Sequence, residues 1–462
     1  MKSSVALKAE YVRGYPELLR FRRDPTAYVG DLGRRSVDVW NFRAGWRNLF
    51  LVNNPELIQN VLVTHDWNFI KGRVLRNSKP MLGEGLLTSE GELHRRQRRL
   101  AQPGFHNARL ALYCNQIVNC TADLIEDWKR SGAESVSVSE EMMRLTLRIV
   151  GLTLFSADVT REASKVGAIL TQALRLFVRN NNPFVQMIGP LRRFNERRAR
   201  ETRRGIEAVL LEIVEKHRRG PEKFDDMLSL LMSSHDEMGT SYMSNELLLD
   251  ECLTIFLAGH ETTANALSWT WYLLSNHPEA EAKLHAELAQ ALGGRLPTFD
   301  DMPRLPYTTA VVRESLRLFP PAWVISREAV TPYRLEEIEV PAGANFILSP
   351  FATQRDPRFW PEPESFLPER WMEGDPANES ATRHRFAFFP FGAGTRVCIG
   401  ENFAMMEAVM AIAAIAQNFR LRLAPEQKVE LWPQMTLRSR LPMHFKIEKR
   451  LLRPPARRAV TS

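Results

Sequence analysis

The stretch Phe391-Gly392-Ala393-Gly394-Thr395-Arg396-Val397-Cys398-Ile399-Gly400 runs directly into a predicted helix over Asn402–Phe419. A cysteine just ahead of a helix N-terminus has its thiolate stabilised by free backbone N–H groups and by the helix dipole. Gly394 and Gly400 let the backbone approach a flat ligand closely, where a Cβ would collide. Arg396 supplies a cation beside that ligand. A lone cysteine is far more often a buried structural residue. Here the whole ten-residue window is specified together, and the structural reading loses.

The longest helix expected in the chain lies upstream of this loop. Ser244 is its N-cap, Glu246 sits in its first turn, and His277-Pro278 stops it. Such a helix spans on the order of 45–50 Å, enough to cross a whole domain. Its flanking runs, Cys252–Ala258 and Ala264–Leu274, are apolar nearly all round, which predicts burial on most faces. Between them stand Gly259-His260-Glu261-Thr262-Thr263. Burying Glu261 and two threonines costs several kcal/mol, of order ~2–7 per unpaired polar group, unless they are satisfied. A structural network or a chemical task must justify them. Ala258 and Thr262, four apart, share one helical face with Glu261 beside them, so an acid–hydroxyl pair there can relay protons. The bland alternative is Thr262 bonding back to the carbonyl four residues earlier, with Glu261 in a salt bridge.

Around these two features the chain reads as mainly α with a small β-rich part. Helical spacing dominates from Glu92 to Pro320, with loops at Asn180-Asn181-Asn182-Pro183 and Gly189-Pro190. Strand signals fall at Leu49–Val52, Trp323–Val330, Tyr333–Val340 and Asn345–Leu348, and a helix starts after Asn54-Pro55-Glu56. No repeat, linker or composition break divides the 462 residues, so one domain is expected, with a basic tail from Lys449 to Ser462.

The two motifs together resemble the cytochrome P450 family. The Cys398 window matches Phe-x-x-Gly-x-Arg-x-Cys-x-Gly, extended by Ala404, and Ala258-Gly259-His260-Glu261-Thr262-Thr263 is similar to the family's oxygen-activation segment. The resemblance implies a P450 fold with haem b held between the long helix and the cysteine loop. It implies that Cys398 ligates the iron through its thiolate, which favours O–O cleavage. Phe391 then packs on the thiolate and Arg396 meets a propionate. His94-x-x-x-Arg98 stands where the family has Trp-x-x-x-Arg, and Arg327 matches a strand arginine, so all three are expected at the propionates. Glu314-x-x-Arg317, with Pro368-Glu369-Arg370-Trp371, looks like the family's buried charge triad, a structural feature. Glu261 and Thr262 carry the proton relay. Thr254, Leu257, Ala258, Ala322, Trp323 and Val324 line the pocket, with Leu75, Met81 and Leu86 from a loop.

The implied function is monooxygenation: one atom of O₂ enters an apolar molecule such as a fatty acid, terpenoid or steroid. Two electrons would come from a separate ferredoxin or flavodoxin with its reductase. A peroxide-using or rearranging enzyme, or a haem protein without turnover, is the alternative; the intact Glu261-Thr262 pair argues against both. The bulk numbers agree. The net charge of +8 suggests acidic partners without requiring them, and no nucleic-acid motif accompanies it. Cys114, Cys120, Cys252 and Cys398 form neither a CxxC pair nor a Cys/His cluster, which excludes a zinc site or disulfide framework and suits a reducing compartment. Met1–Tyr15 lacks the apolar run of a signal peptide or anchor, and the polar break makes Cys252–Leu274 a poor membrane span. A soluble cytoplasmic protein with at most weak peripheral membrane contact is expected.

Overall fold

A computed structural model describes residues 8–13, 15–44, 47–158, 176, 189–233, 243–375, 377–378 and 382–450. The expected loop at Asn180–Pro183 and most of the basic tail lie outside the described residues. Helices form the body, and the strands gather mainly in one six-stranded sheet. Its order is Ala9–Arg13, Val39–Ala44, Arg47–Val52, Asn345–Leu348, Ile325–Ala329 and Phe69–Lys71. Arg47–Val52 and Asn345–Leu348 run parallel, so residues nearly 300 apart in sequence meet at the middle of the sheet. The run expected as one strand over Tyr333–Val340 is a tight hairpin, Tyr333–Leu335 against Ile338–Val340, with Glu336 at φ +51° in its turn.

The central helix covers Asn245–Asn276, and Ser244 caps it by accepting from the Leu247 N–H at 3.2 Å. At 32 residues it is about 48 Å long. It packs against the helix Val138–Leu154. Gly259 permits that approach: a Cβ there would lie 2.9 Å from Val150 Cγ2. Thr146 ties the pair by donating to the His260 carbonyl at 2.9 Å. Gly189-Pro190, expected as a loop, instead opens a helix that runs to Arg219. Proline is tolerated there because the N–H it lacks has no partner in a first turn. The helix after the cysteine loop, Glu401–Asn418, is buried along most of its length and joins the central helix in the main core.

Candidate active site

The cysteine loop closes on itself, with the Cys398 N–H donating to the Phe391 carbonyl at 2.9 Å. Gly394 adopts φ +70°, and a Cβ there would sit 1.9 Å from the Leu62 carbonyl oxygen. A left-handed turn and a neighbouring backbone therefore demand glycine at Gly394. Gly400 caps the following helix at φ −95°, where a Cβ would make an ordinary 3.6 Å contact with Phe105. Phe391 is half-buried against the main core.

Cys398 is exposed, whereas Cys114, Cys120 and Cys252 are buried. Yet burial pushes its thiol up to about 11, against the Gly400 N–H and the Arg98 guanidinium that pull it down. A group that is reachable and also deeply surrounded borders an interior cavity rather than the outer surface. The Gly400 N–H at the helix start favours the thiolate, while burial favours the thiol. A metal ion deprotonates a coordinating thiol outright.

Beside the loop stands a cluster of buried cations. His94 and Gln97 are buried and Arg98 half-buried on one side of the helix Gly91–Ala101, while Arg95, Arg96 and Arg99 are exposed on the other. Arg98 Nη1 donates to the Val397 carbonyl at 2.7 Å, joining this helix to the cysteine loop. Arg327 is buried in its strand, and its register partner is Lys71, also buried. Like charges directly opposite across a sheet repel. Arg396 bonds Glu90, whose other oxygen accepts the Lys71 N–H at 2.7 Å. Burial first, then Arg396, lowers Lys71 to about 7 and Arg327 to about 10. Burial, Lys71 and the three arginines drive His94 down to about 3, so its imidazole stays neutral.

On the central helix, Ala258 is exposed amid neighbours that are mostly buried. Thr262 Oγ1 donates to the Ala258 carbonyl at 2.7 Å, the back-bonded arrangement. Glu261 is buried and accepts from Thr436 Oγ1 at 2.6 Å; among the described residues it makes no salt bridge. Glu261 and Thr262 thus occupy the same turn without bonding each other. Leu257, which also touches the main core, packs like Leu75, Leu87 and Met435 against the apolar cluster of Met81 and Leu82. The backbone of Leu86 is held on both sides: its N–H donates to Glu251 at 3.1 Å and its carbonyl accepts from Lys71 at 2.8 Å. Thr254 is buried under Gly85, where a Cβ would lie 2.2 Å from its hydroxyl oxygen. Ala322 is half-buried. Trp323 is buried in the cluster around Trp40 and Phe351, and Val324 is half-buried against it. The Trp323 N–H donates to the Gln434 carbonyl at 3.0 Å.

Comparison with known proteins agrees with this geometry. The sequence pattern of the family described as Cytochrome P450 matches residues 14–447. The chain belongs to the cytochrome P450 family. It is 37% identical over 432 residues to Cyclooctatin synthase of Streptomyces melanosporofaciens, covering 91% of this chain and 90% of that protein. It is 33% identical to Pentalenene oxygenase of Streptomyces avermitilis, covering 88% and 89%. It is 29% identical to the chloroplastic Carotene epsilon-monooxygenase of Arabidopsis thaliana, covering 89% and 80%. This P450 is a monooxygenase acting on an apolar small molecule. P450s bind haem through a cysteine thiolate, and the residues present here fit that group. Cys398 is accessible in a deep setting, Arg98 is bonded to its loop, and Glu90 is the carboxylate bonded to Arg396 and to the Lys71 backbone, beside Arg327. A dianionic ligand edge answers such a cluster.

The P450 charge triad is fully formed. Arg317 donates to both oxygens of Glu314, at 2.9 and 2.7 Å, and both residues are fully buried. Arg370 Nε stands 3.3 Å from Glu314 Oε1, close enough for an ion pair though not aligned as a hydrogen bond. Three residues of the site escaped the sequence reading. Lys71 belongs to no motif, and only its register against Arg327 brings it in. Thr436 and Asn265 reach Glu261 through a tertiary contact between distant segments. No helix among the described residues is long and apolar enough to cross a membrane.

Proposed function

We propose that this P450 hydroxylates a cyclic terpene hydrocarbon, with Cys398 as the axial ligand of haem b and electrons delivered by a separate acidic ferredoxin or flavodoxin. The observation that carries the ligand assignment is the accessible yet deeply surrounded Cys398 beside the cation cluster. The substrate class is supported by the terpenoid- and carotenoid-oxidising relatives and by the aliphatic, thioether-rich cluster of Leu75, Met81, Leu82, Leu87, Leu257 and Met435. That lining offers dispersion contacts and adaptable Met side chains, and few polar anchors.

Bound haem supplies the activation of O₂ with two electrons and the transfer of one oxygen atom to substrate. The chain's residues do the rest. Arg98, Arg327 and Arg396 neutralise the propionates, and neutral His94 donates a ring N–H to one of them. Glu261 takes up a proton and passes it to Thr262, whose hydroxyl must first leave the Ala258 carbonyl. The apolar cluster holds the hydrocarbon and keeps bulk water out.

Carbon monoxide binding to the reduced protein tests the ligand. The wild type is expected to show the strongly red-shifted Soret band of a thiolate-ligated haem, and Cys398→Ala to lose both that band and turnover. A wild-type spectrum like that of a His-ligated globin would falsify the assignment. The substrate class is tested by titrating terpene hydrocarbons, fatty acids and steroids and recording the substrate-induced Soret change. A response confined to fatty acids or steroids overturns the terpene assignment alone.

A further inference from the structure

We infer that Thr436, backed by Asn265, is a positioning residue that fixes the orientation of the Glu261 carboxylate and thereby controls its supply of protons to Thr262. The inference rests on the relay reading of Glu261 and Thr262 given above. Thr436 Oγ1 lies 2.6 Å from Glu261 Oε1, and Asn265 Nδ2 lies 3.2 Å from the same Thr436 oxygen. All three side chains are buried, at 5%, 6% and 6% exposure for Glu261, Asn265 and Thr436. A hydroxyl has one proton to give. With the Asn265 amide donating into its oxygen, the Thr436 proton is directed at Glu261, so the chain runs one way from Asn265 to Thr436 to Glu261. Polarisation along such a chain strengthens its last bond.

The hydroxyl is presented from a tip that the fold holds rigidly. Thr436 lies between the strands Leu431–Pro433 and Leu437–Ser439, and the Gln434 N–H donates to its carbonyl at 3.0 Å. Leu437 is bonded on both sides, its N–H to the Pro321 carbonyl at 2.9 Å and its carbonyl to the Trp269 indole at 3.0 Å. A hydroxyl so fixed selects one carboxylate rotamer. In that rotamer Glu261 bonds Thr436, and Thr262 bonds Ala258 instead of the acid. Met435, next to Thr436, packs against the cluster of Met81 and Leu82, as Leu257 does. The apolar cluster and the acid therefore meet adjacent residues of one tip.

Thr436→Val keeps the shape and removes the hydroxyl. We expect it to leave the carbon monoxide spectrum and the substrate-induced Soret change as in wild type. Product formed per electron pair should fall severalfold, with peroxide released in its place, and Thr436→Ser should restore coupling. A second readout needs no turnover: the infrared bands of Glu261, defined as those missing in Glu261→Gln, should shift in resting Thr436→Val and return in Thr436→Ser. If Thr436→Val does not hold haem, Asn265→Leu takes its place, with the same direction and a smaller shift. Unmoved bands and full coupling in a variant lacking the hydroxyl, with Glu261→Gln uncoupled, overturn the positioning role alone. Failure of Thr436→Ser to rescue also overturns it, since shape and not the hydroxyl would then matter. Full coupling in Glu261→Gln overturns the relay reading beneath it.

Discussion

Two buried clusters of charge in this P450 are built on opposite principles. Around Glu314 the groups answer one another. Arg317 donates to both carboxylate oxygens and to the carbonyls of Gln354, Pro363 and Ser365, and Glu314 also accepts from the Trp371 indole and the Leu367 N–H. Around Arg327 the charges do not balance: Lys71, Arg327 and Arg396 gather with Glu90, and Arg98 stands beside the adjoining loop; burial lowers Lys71, Arg98 and Arg327, and Arg396 lowers Lys71 and Arg327 further. A balanced network holds a fold together. A cation-rich one costs the folded chain stability and repays it when an anionic ligand binds.

Removing the charge at the centre of the balanced cluster gives the largest expected effect. Glu314→Gln leaves Arg317 and Arg370 buried without their carboxylate, which costs about 3–5 kcal/mol when one partner of a buried pair is lost. Thermal unfolding followed by circular dichroism should show a large drop in melting temperature, with haem content falling alongside. A variant that melts like the wild type breaks the comparison at its structural half.

Arg327→Leu should behave in the opposite sense. In the haem-free chain it removes a desolvated cation from beside Lys71, so the melting temperature is expected to rise. Haem affinity should fall about ten- to a hundredfold, as for one charged hydrogen bond worth ~1.5–3 kcal/mol. Haem transfer to apomyoglobin measures the second quantity and melting of the haem-free chain the first. A change of the same sign in both measurements makes Arg327 a structural residue like Arg317.

Lys71 sharpens the contrast through pH. Its folded-state pKa is about 7 against an ordinary 10.5. Between those values the unfolded chain binds the proton and the folded one does not, so folded stability rises with pH across that window. Below pH ~7 both states are charged and the full penalty remains. The haem-free chain should therefore be more stable near pH 9 than near pH 7, by an amount on the order of 1–3 kcal/mol, and Lys71→Met should flatten the rise. Denaturant titrations at the two pH values check this.

How much of this was legible beforehand follows from the range of the interactions. The central helix and its Ser244 cap were readable because capping and apolar periodicity are local. The Cys398 loop was readable because ten neighbouring residues specify it. What was not readable is tertiary. The packing of Trp323 and Val324 against the cluster around Trp40 and Phe351 is announced by no local pattern. The Leu62 carbonyl that excludes a Cβ at Gly394 lies far away in sequence. Lys71 and Thr436 enter through a strand register and a long-range hydrogen bond.

The smallest expected effect concerns the outward face of the helix that carries Arg98. Arg95, Arg96 and Arg99 are exposed there and flank a shallow groove of about 390 Å³ with Leu93 and Leu100 in its wall. The inner face of the same helix is bonded to the cysteine loop through Arg98 and Val397, so a protein seated on the outer face lies near the ligand loop. An acidic electron donor is attracted to such a surface, and rim charges act chiefly on the association rate. Glu92 pairs with Arg95, yet both are exposed, and a pair of this kind is worth little and leaves the field largely positive. Arg95→Glu with Arg96→Glu should slow reduction by an acidic donor roughly tenfold at low salt and flatten its salt dependence. The new like charge beside Glu92 costs only about 0.2–0.5 kcal/mol, so melting temperature and substrate-induced Soret change should stay as in the wild type. If reduction ignores both the reversal and the ionic strength, these arginines are a solvated helix face and the donor docks elsewhere. If it slows while melting also falls, the double change has damaged the helix, and Arg99→Glu alone, which leaves Glu92 undisturbed, separates docking from stability.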